Sequence, residues 1–516
     1  MRERTQIIAA FLGAAALLAF AILQPGFADP DPFYHANISL LIRDHGFIQT
    51  FPWFAYTSWA SAFVDVHLLY HLLLIPFVTV FDPITGMRVS AFIFGMAALY
   101  AIWRFLKSMN APGAHLLMLA AVMSGLFLHR LSMPRAMSLA IVCLLAVTWI
   151  ILKRRPWAAL ICAAAFTYLY HGFPLMGLSF VSIVAANIIV ERLHGAAVRQ
   201  AVKTSIRQFA PTGLGLLAGI ALGTIFNPYF PANLSFQWLS IVEIGVANTQ
   251  TAIQAGTEWL PGNPTFLVQT TAPALAAAGL AIVLFILAVA LRKTKETKEL
   301  LVQTAACGIL AAGYSILTLK SIRFAEYAVP FLVLVSGGLL SLSSPLLRQE
   351  LLPVIHARLA AIRRHATILI PVSLAGIAFL VVGSSAAITP RTYFRADQYV
   401  FATEWVREHV APGAMIYTNG WDYPSVLWYL DDTHTYPVGL DPRLMEDADP
   451  QTYAAWAEAN TGKNDMRPIL DAWQTPAAII DLRLVHATEV VDRLQEAGCV
   501  EVGRNEWVVL LSCQTL

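Results

Sequence analysis

Ala28-Asp29-Pro30-Asp31-Pro32-Phe33-Tyr34-His35 comes directly after an apolar run, Ile7–Leu23, that is long enough to cross a bilayer. The two prolines fix φ and remove backbone donors, so the stretch reads as a stiff turn where the chain leaves the membrane. Two carboxylates and an aromatic pair are thereby held at the lipid–water boundary. Such a turn is either a catalytic or metal-binding loop or an ordinary acidic helix stop.

The rest of the chain makes the first run one of many. Of 516 residues, 57% are hydrophobic and 13% charged, with a mean hydropathy of +0.62. Soluble domains are typically about 25% charged. This is a polytopic membrane protein with some water-facing mass. The net charge of +2 gives no reason to expect a nucleic-acid partner. Arg2, Arg4, the apolar core and the small residues near Ala28 together imitate a signal peptide. Because further apolar helices follow, the run is read as a retained first span. Cys143, Cys162 and Cys307 fall in apolar helices as packing residues. Cys499 and Cys513 flank an expected hairpin and can pair if that region is extracytoplasmic.

Spans are expected at 7–23, 89–105, 115–127, 137–152, 157–170, 173–190, 211–226, 271–291, 300–319, 327–342 and 367–388, about eleven in all. With the N-terminus in the cytoplasm, alternation sends one set of basic residues to cytoplasmic ends. The set is Arg104, Lys107, Lys153, Arg154, Arg155, Arg192, Arg199, Lys203, Arg207, Arg292, Lys293, Lys295, Lys298, Arg348, Arg358, Arg363 and Arg364. The odd number of spans leaves the C-terminal region outside. Trp59–Phe81 is long and apolar but carries Asp65, His67 and His71, and counting it would invert every later loop. It is read as a helix packed in or beside the membrane. Its ionisable residues are either cavity-lining or interfacial.

The expected organisation is a transmembrane domain over 1–389, with a first outer loop at 26–88 and a long outer loop at 227–269, then an extracytoplasmic α/β domain over 390–516. Arg43, Arg88, Arg130, Arg135, Lys320 and Arg323 lie on the outer side against the positive-inside bias, and Arg323 and Arg135 are favoured as binders of an anionic phosphate. The long loop shows no obvious structure and carries Glu243 and Glu258. In the C-terminal region, strands are expected at 415–418, 477–482, 500–503 and 507–512, and helices at 397–409, 450–458 and 486–497. Asn419-Gly420-Trp421-Asp422-Tyr423-Pro424 forms a turn after the first strand. There is no glycine-rich phosphate loop, Cys/His zinc spacing, nucleophile elbow or internal repeat in the sequence.

Four stretches stand in order along the chain. They are Asp31-Pro32-Phe33-Tyr34-His35 after the first span, Thr257-Glu258-Trp259-Leu260-Pro261 in the long loop, Arg323-Phe324-Ala325-Glu326-Tyr327-Ala328-Val329-Pro330 opening a late span, and Trp421-Asp422-Tyr423 beyond the membrane part. Together they resemble the catalytic subunit of oligosaccharyltransferases, within the membrane glycosyltransferases of the GT-C fold. The resemblance implies an inverting glycosyltransferase in the cytoplasmic membrane. Its active site would face the periplasm and be fed by a polyprenyl-phosphate-linked sugar or oligosaccharide, with a protein, lipid or glycan acceptor. It assigns Asp31, with Asp29 beside it, as base or ligand, and Glu258 as the long-loop glutamate, with Glu243 its rival. Arg323, with Arg135 and Lys320, would hold the donor phosphate, and Trp421, Asp422 and Tyr423 would form the acceptor turn.

The resemblance also implies a divalent cation, Mg or Mn, for which Asp31, Glu258 and His35 are the candidate ligands. Two departures bear on this. Gly420 stands where the family has a first tryptophan. The loop after the third span, His129-Arg130-Leu131-Ser132-Met133-Pro134-Arg135, lacks the family's second acidic motif. Arg135 is then a candidate to bind phosphate in place of a metal. A flippase for a lipid-linked glycan and a non-catalytic assembly subunit are the alternative readings.

Overall fold

The first apolar run forms one helix, α1 (Arg2–Ile22), and the expected turn covers only the chain as far as Pro30. From Asp31 the chain is helical again, as α2 (Asp31–His45). Proline belongs in the first turn of a helix, where no amide is required, so Pro32 starts this helix and does not prevent it. This corrects the reading of residues 28–35 as a turn throughout. The computed structural model describes residues 2–247, 253, 256–294, 297–351, 353 and 393–513. The expected span 367–388, the domain boundary at 389/390, and Lys295, Arg358, Arg363 and Arg364 lie outside the described residues.

Among the described residues, seven helices are long and apolar enough to cross a membrane, or eight when one bent pair counts as a single span. They include α1, α4 (Pro83–Ser108), α9 (Leu175–Leu193), α10 (Val198–Ile225), α12 (Pro264–Ala290), α13 (Lys298–Lys320) and α14 (Ala325–Leu342). The bent pair is α5 (Ala114–Val122) and α6 (Gly125–Ser132), which meet at 77°. The straight span expected over 115–127 is therefore broken. Ser124 takes an extended backbone conformation and turns its hydroxyl back to the Ala120 carbonyl at 2.9 Å. A Ser-Gly pair is a recognised cause of such a kink. Two further apolar helices are α7 (Met137–Leu152) and α8 (Pro156–Leu169), of 16 and 14 residues. At about 1.5 Å per residue they fall short of the ~30 Å hydrocarbon layer. The segment 59–81 contributes only a short 3₁₀ turn and α3 (Leu68–Val80), packed on α2, α4 and α8.

Burial orders the bundle. The span containing α14 has 78% of its apolar window buried, whereas α1 and α12 have 22%. So α14 sits in the middle and the other two face lipid. α10 lies unusually close to α8. A Cβ on Gly215 or Gly219 would meet the Pro156 or Leu160 carbonyl at 2.3 or 2.2 Å, so only glycine lets these backbones touch.

Ion pairs mark one end of the bundle. Lys107 meets Glu3 at 3.3 Å, Lys153 meets Glu299 at 2.5 Å, Lys298 meets Glu191 at 2.5 Å, and Lys293 pairs with Glu350. Four of the basic residues assigned to one side by alternation, Lys107, Lys153, Lys293 and Lys298, stand in these pairs.

The long loop is not structureless. It folds as α11 (Ala232–Trp238), a π-helical stretch over Leu239–Ala247 and a 3₁₀ turn at Thr257–Trp259. The C-terminal region is an α/β unit with strands β1 (Ile416–Thr418), β2 (Ala477–Asp481), β3 (Val500–Arg504) and β4 (Val508–Ser512) in the order β1-β2-β4-β3. β1 and β2 are parallel and the other pairs antiparallel. All of β2 is buried, as befits a strand covered on both faces. Cys499 and Cys513 are joined across the β3–β4 hairpin. Helices at 424–430, 443–448 and 467–473 add to those expected.

The first outer loop fastens this unit to the bundle. Phe27 and Phe394 exchange backbone hydrogen bonds at 3.0 and 2.9 Å. The Trp53 indole donates to the Asp432 carbonyl at 2.6 Å, and the Phe51 ring packs edge-on to Trp428 at 4.7 Å.

Candidate functional site

Four connections at the end of the bundle opposite the lysine–glutamate pairs carry the charged cluster. The first joins α1 to α2. The Asp29 carboxylate accepts from the Asp31 amide at 3.1 Å, and Asp31 lies in the first helical turn, where the helix dipole favours a negative charge. The second follows the bend at Ser124 and ends at Arg135. The third is the 3₁₀ turn bearing Glu258. The fourth joins α13 to α14 and bears Arg323. The third and fourth are stitched together, since the Ser321 hydroxyl donates to the Glu258 carbonyl at 2.9 Å and the Ile322 amide to the Leu260 carbonyl at 3.1 Å.

Arg135 spans the carboxylates. Its guanidinium lies 2.8 Å from Asp31, 3.1 Å from Asp29 and 3.3 Å from Glu258. Glu258 also receives Arg130 at 2.7 Å and Arg323 at 3.2 Å. Arg130 continues to Glu326 at 2.9 Å, with both side chains almost wholly buried. Arg323 donates to the Tyr170 hydroxyl at 2.5 Å and lies over the Trp259 ring at 4.7 Å. Three guanidinium groups therefore interleave with four carboxylates. Among the described residues, the Asp29 Oδ2 atom is buried without a hydrogen-bond partner.

This arrangement sets the two principal carboxylates apart. Burial pushes the Asp31 carboxyl up to about 7; Arg135 opposes the rise, and Asp29 and Glu258 add to it. Burial acts on Glu258 in the same direction, but Arg130, Arg135 and Arg323 together hold it well below the usual carboxylate range. Near neutral pH Asp31 can exchange a proton and Glu258 stays ionised.

The cluster opens into a cavity of about 1070 Å³ between the bundle and the α/β unit. Asp29, Asp31, His35, Arg135, Glu258 and Arg323 line one wall, and Trp421, Asp422, Asn460 and His486 the other. Burial and the nearby Asp481 raise the Asp422 carboxyl to about 6.

The structure thus brings together Asp31, Asp29, Glu258, Arg323 and Arg135, and sets Trp421 and Asp422 across the cavity from them. Glu243 is exposed on the π-helical stretch and does not line the cavity, so the loop glutamate of the cluster is Glu258. Lys320 is exposed at the end of α13 and does not line the cavity either. Tyr423 is not part of a binding surface. Its ring stacks on Tyr399 at 5.6 Å, and its hydroxyl donates to the Ile479 carbonyl at 2.6 Å inside the domain. Gly420 is confined in turn, since a Cβ there would lie 2.4 Å from the Leu484 side chain. A tryptophan at this position requires Leu484 to move.

Two members of the cluster were not singled out from sequence. Arg130 was only one of six outer cations, and Glu326 lay unremarked inside the Arg323–Pro330 motif.

The candidate metal ligands are already engaged. Asp31 and Glu258 are held by arginine, and His35 Nδ1 bonds His71 Nε2 at 2.7 Å. Among the described residues, no group of three or more His, Cys, Asp or Glu side chains is placed to hold one ion. Three guanidinium groups around the same oxygens repel a dication. The residues present do not fit one.

No family model matches the chain, and no curated protein matches it in sequence. Among solved structures, ArnT from Cupriavidus metallidurans bound to undecaprenyl phosphate aligns over 98% of this chain and 97% of its own, with a TM-score of 0.56 and 14% identity. The apo state of the same protein aligns over 99% and 98%, with a TM-score of 0.43 and 10% identity. ArnT is a membrane glycosyltransferase of the GT-C fold. The present chain shares that fold nearly from end to end, as the order of its motifs implied.

Proposed function

We propose that this chain is a membrane glycosyltransferase that moves a sugar from a polyprenyl-phosphate-linked donor to an acceptor on the outer face of the cytoplasmic membrane. Its N-terminus is cytoplasmic and its α/β domain periplasmic. The observation that carries the reading is the set of three arginines meeting Asp31 and Glu258 at the mouth of one cavity, in a fold shared with a protein crystallised with undecaprenyl phosphate.

The donor phosphate takes up guanidinium donors that Glu258 now occupies, with Arg323 and Arg135 as its principal partners. Asp31 accepts the proton of the acceptor's O–H. The acceptor oxygen bonds to the anomeric carbon as the carbon–oxygen bond to phosphate breaks, and the electron pair leaves on the phosphate oxygen. Such a single displacement inverts the anomeric centre. The arginines are in place before that charge develops, which is where electrostatic stabilisation is most effective. Trp421 and Asp422 offer an aromatic face and a carboxylate to the acceptor from across the cavity. No step needs a metal.

The test supplies purified protein in nanodiscs with a panel of undecaprenyl-phosphate-linked hexoses and native membrane extract as acceptor. Release of undecaprenyl phosphate is then followed. Turnover should persist in chelator and rise through pH 7 as the Asp31 carboxyl ionises. Asp31→Asn should abolish it while the protein remains folded in the membrane. Undiminished turnover by that variant overturns the assignment.

A further inference from the structure

Behind Asp31 lies a second set of ionisable groups that this chemistry does not yet use. His35 follows Asp31 by one helical turn on α2, so the two side chains share a face, and both line the cavity. The His35 Nδ1 atom lies 2.7 Å from His71 Nε2 on α3. The His71 Nδ1 atom in turn lies 2.7 Å from the Asp65 Oδ2 atom. The other Asp65 oxygen accepts the His67 amide at 2.9 Å, which fixes the carboxylate. All three side chains are buried, with residue exposures of 4%, 0% and 2% for His35, His71 and Asp65.

The hydrogen-bond order determines the tautomers. An ionised Asp65 only accepts, so His71 carries its proton on Nδ1. A neutral His71 then presents a lone pair on Nε2, and His35 must donate to it from Nδ1. The His35 Nε2 atom is left as an unprotonated nitrogen on a ring that lines the cavity. Burial, His71 and Arg135 all keep His35 neutral at rest. The other groups around the ring are Tyr34 of its own helix, Tyr70 of α3 and His67 of the preceding loop. Arg323 and His171 act at one remove, through His67.

We propose that His35, His71 and Asp65 form a proton relay that takes from Asp31 the proton removed from the acceptor. The inference rests on the transferase reading. His35 Nε2 binds the incoming proton and His35 Nδ1 releases its own to His71 Nε2. The result is a neutral His35 and a His71 imidazolium held 2.7 Å from the Asp65 carboxylate. One proton enters at the cavity and one positive charge ends beside Asp65; no electron changes hands. Asp31 is returned to its ionised form, paired with Arg135, and before the next turnover the His71 proton goes back along the same chain to the cavity and leaves on the released phosphate. His35 and His71 carry the proton, and Asp65 is the positioning residue.

The first test needs no substrate. ¹⁵N NMR of imidazole-labelled full-length protein in nanodiscs at pH 8, assigned with His35→Gln and His71→Gln, should show both histidines protonated on Nδ1. Free histidine in water favours the other tautomer. Finding His35 protonated on Nε2 while His71 is neutral overturns the relay. The second test uses Asp65→Asn, which keeps the shape and removes the charge. The kcat for undecaprenyl phosphate release should fall by about 10-fold or more, with the donor KM unchanged. An unchanged kcat in this variant sinks the relay while leaving the transferase intact. A wild-type protein that releases no undecaprenyl phosphate overturns both.

Discussion

Glu258→Gln should tighten the hold on undecaprenyl phosphate. Glu258 occupies three guanidinium groups at once, at 2.7 Å from Arg130, 3.3 Å from Arg135 and 3.2 Å from Arg323. A donor phosphate seated on Arg135 and Arg323 must displace part of this network and then share the space with a second anion. At a separation of about 6 Å and an effective dielectric of about 20, two unit charges repel by about 2.8 kcal/mol. That is an upper bound of about 100-fold in affinity. Glutamine keeps the shape and one acceptor oxygen, and the Ser321 bond to the Glu258 carbonyl is a backbone contact that the substitution spares. Without the Glu258 charge, three arginines face Asp29, Asp31 and Glu326, so the cluster remains balanced and the fold should survive.

Trp259 supplies the assay, because its ring lies 4.7 Å from the Arg323 guanidinium and should respond when that group changes partner. Titrating undecaprenyl phosphate into the protein in nanodiscs should give a Kd about 10- to 100-fold lower for the variant. The steady-state rate should fall as the product phosphate leaves more slowly. An unchanged or higher Kd, with the Trp259 signal of the free protein intact, would refute the claim that Glu258 holds the arginines against the donor.

Arg323→Ala should raise the Kd for undecaprenyl phosphate by about 10-fold or more, the cost of one charge-assisted contact, as read by the same titration. Arg130→Met should lower stability by about 3–5 kcal/mol, because it leaves the Glu326 side chain buried and unpaired. Thermal unfolding in detergent reads that loss, and adding Glu326→Leu should recover most of it.

How far the sequence reveals this molecule depends on the range of the interaction concerned. The C-terminal strands are local features, set by alternation, and those expected at 415–418, 477–482, 500–503 and 507–512 lie within about one residue of the observed strands. Glu258 and Arg323 were found because their motifs are also local. Arg130 was not, because what identifies it is its pairing with Glu258 and Glu326, 128 and 196 residues away, across a bend that replaces a straight span. Within the turn at 419–424, Trp421 lines the cavity and Tyr423, two residues on, packs in the core; composition alone gives no means of separating them. The missing acidic motif after the third span was legible as an absence, and its meaning came only from geometry. Arg135 stands there with its fork on Asp29, Asp31 and Glu258. Carboxylates that need a cation to lie this close have one covalently supplied. On the transferase reading, the same fixed charge then meets the leaving phosphate.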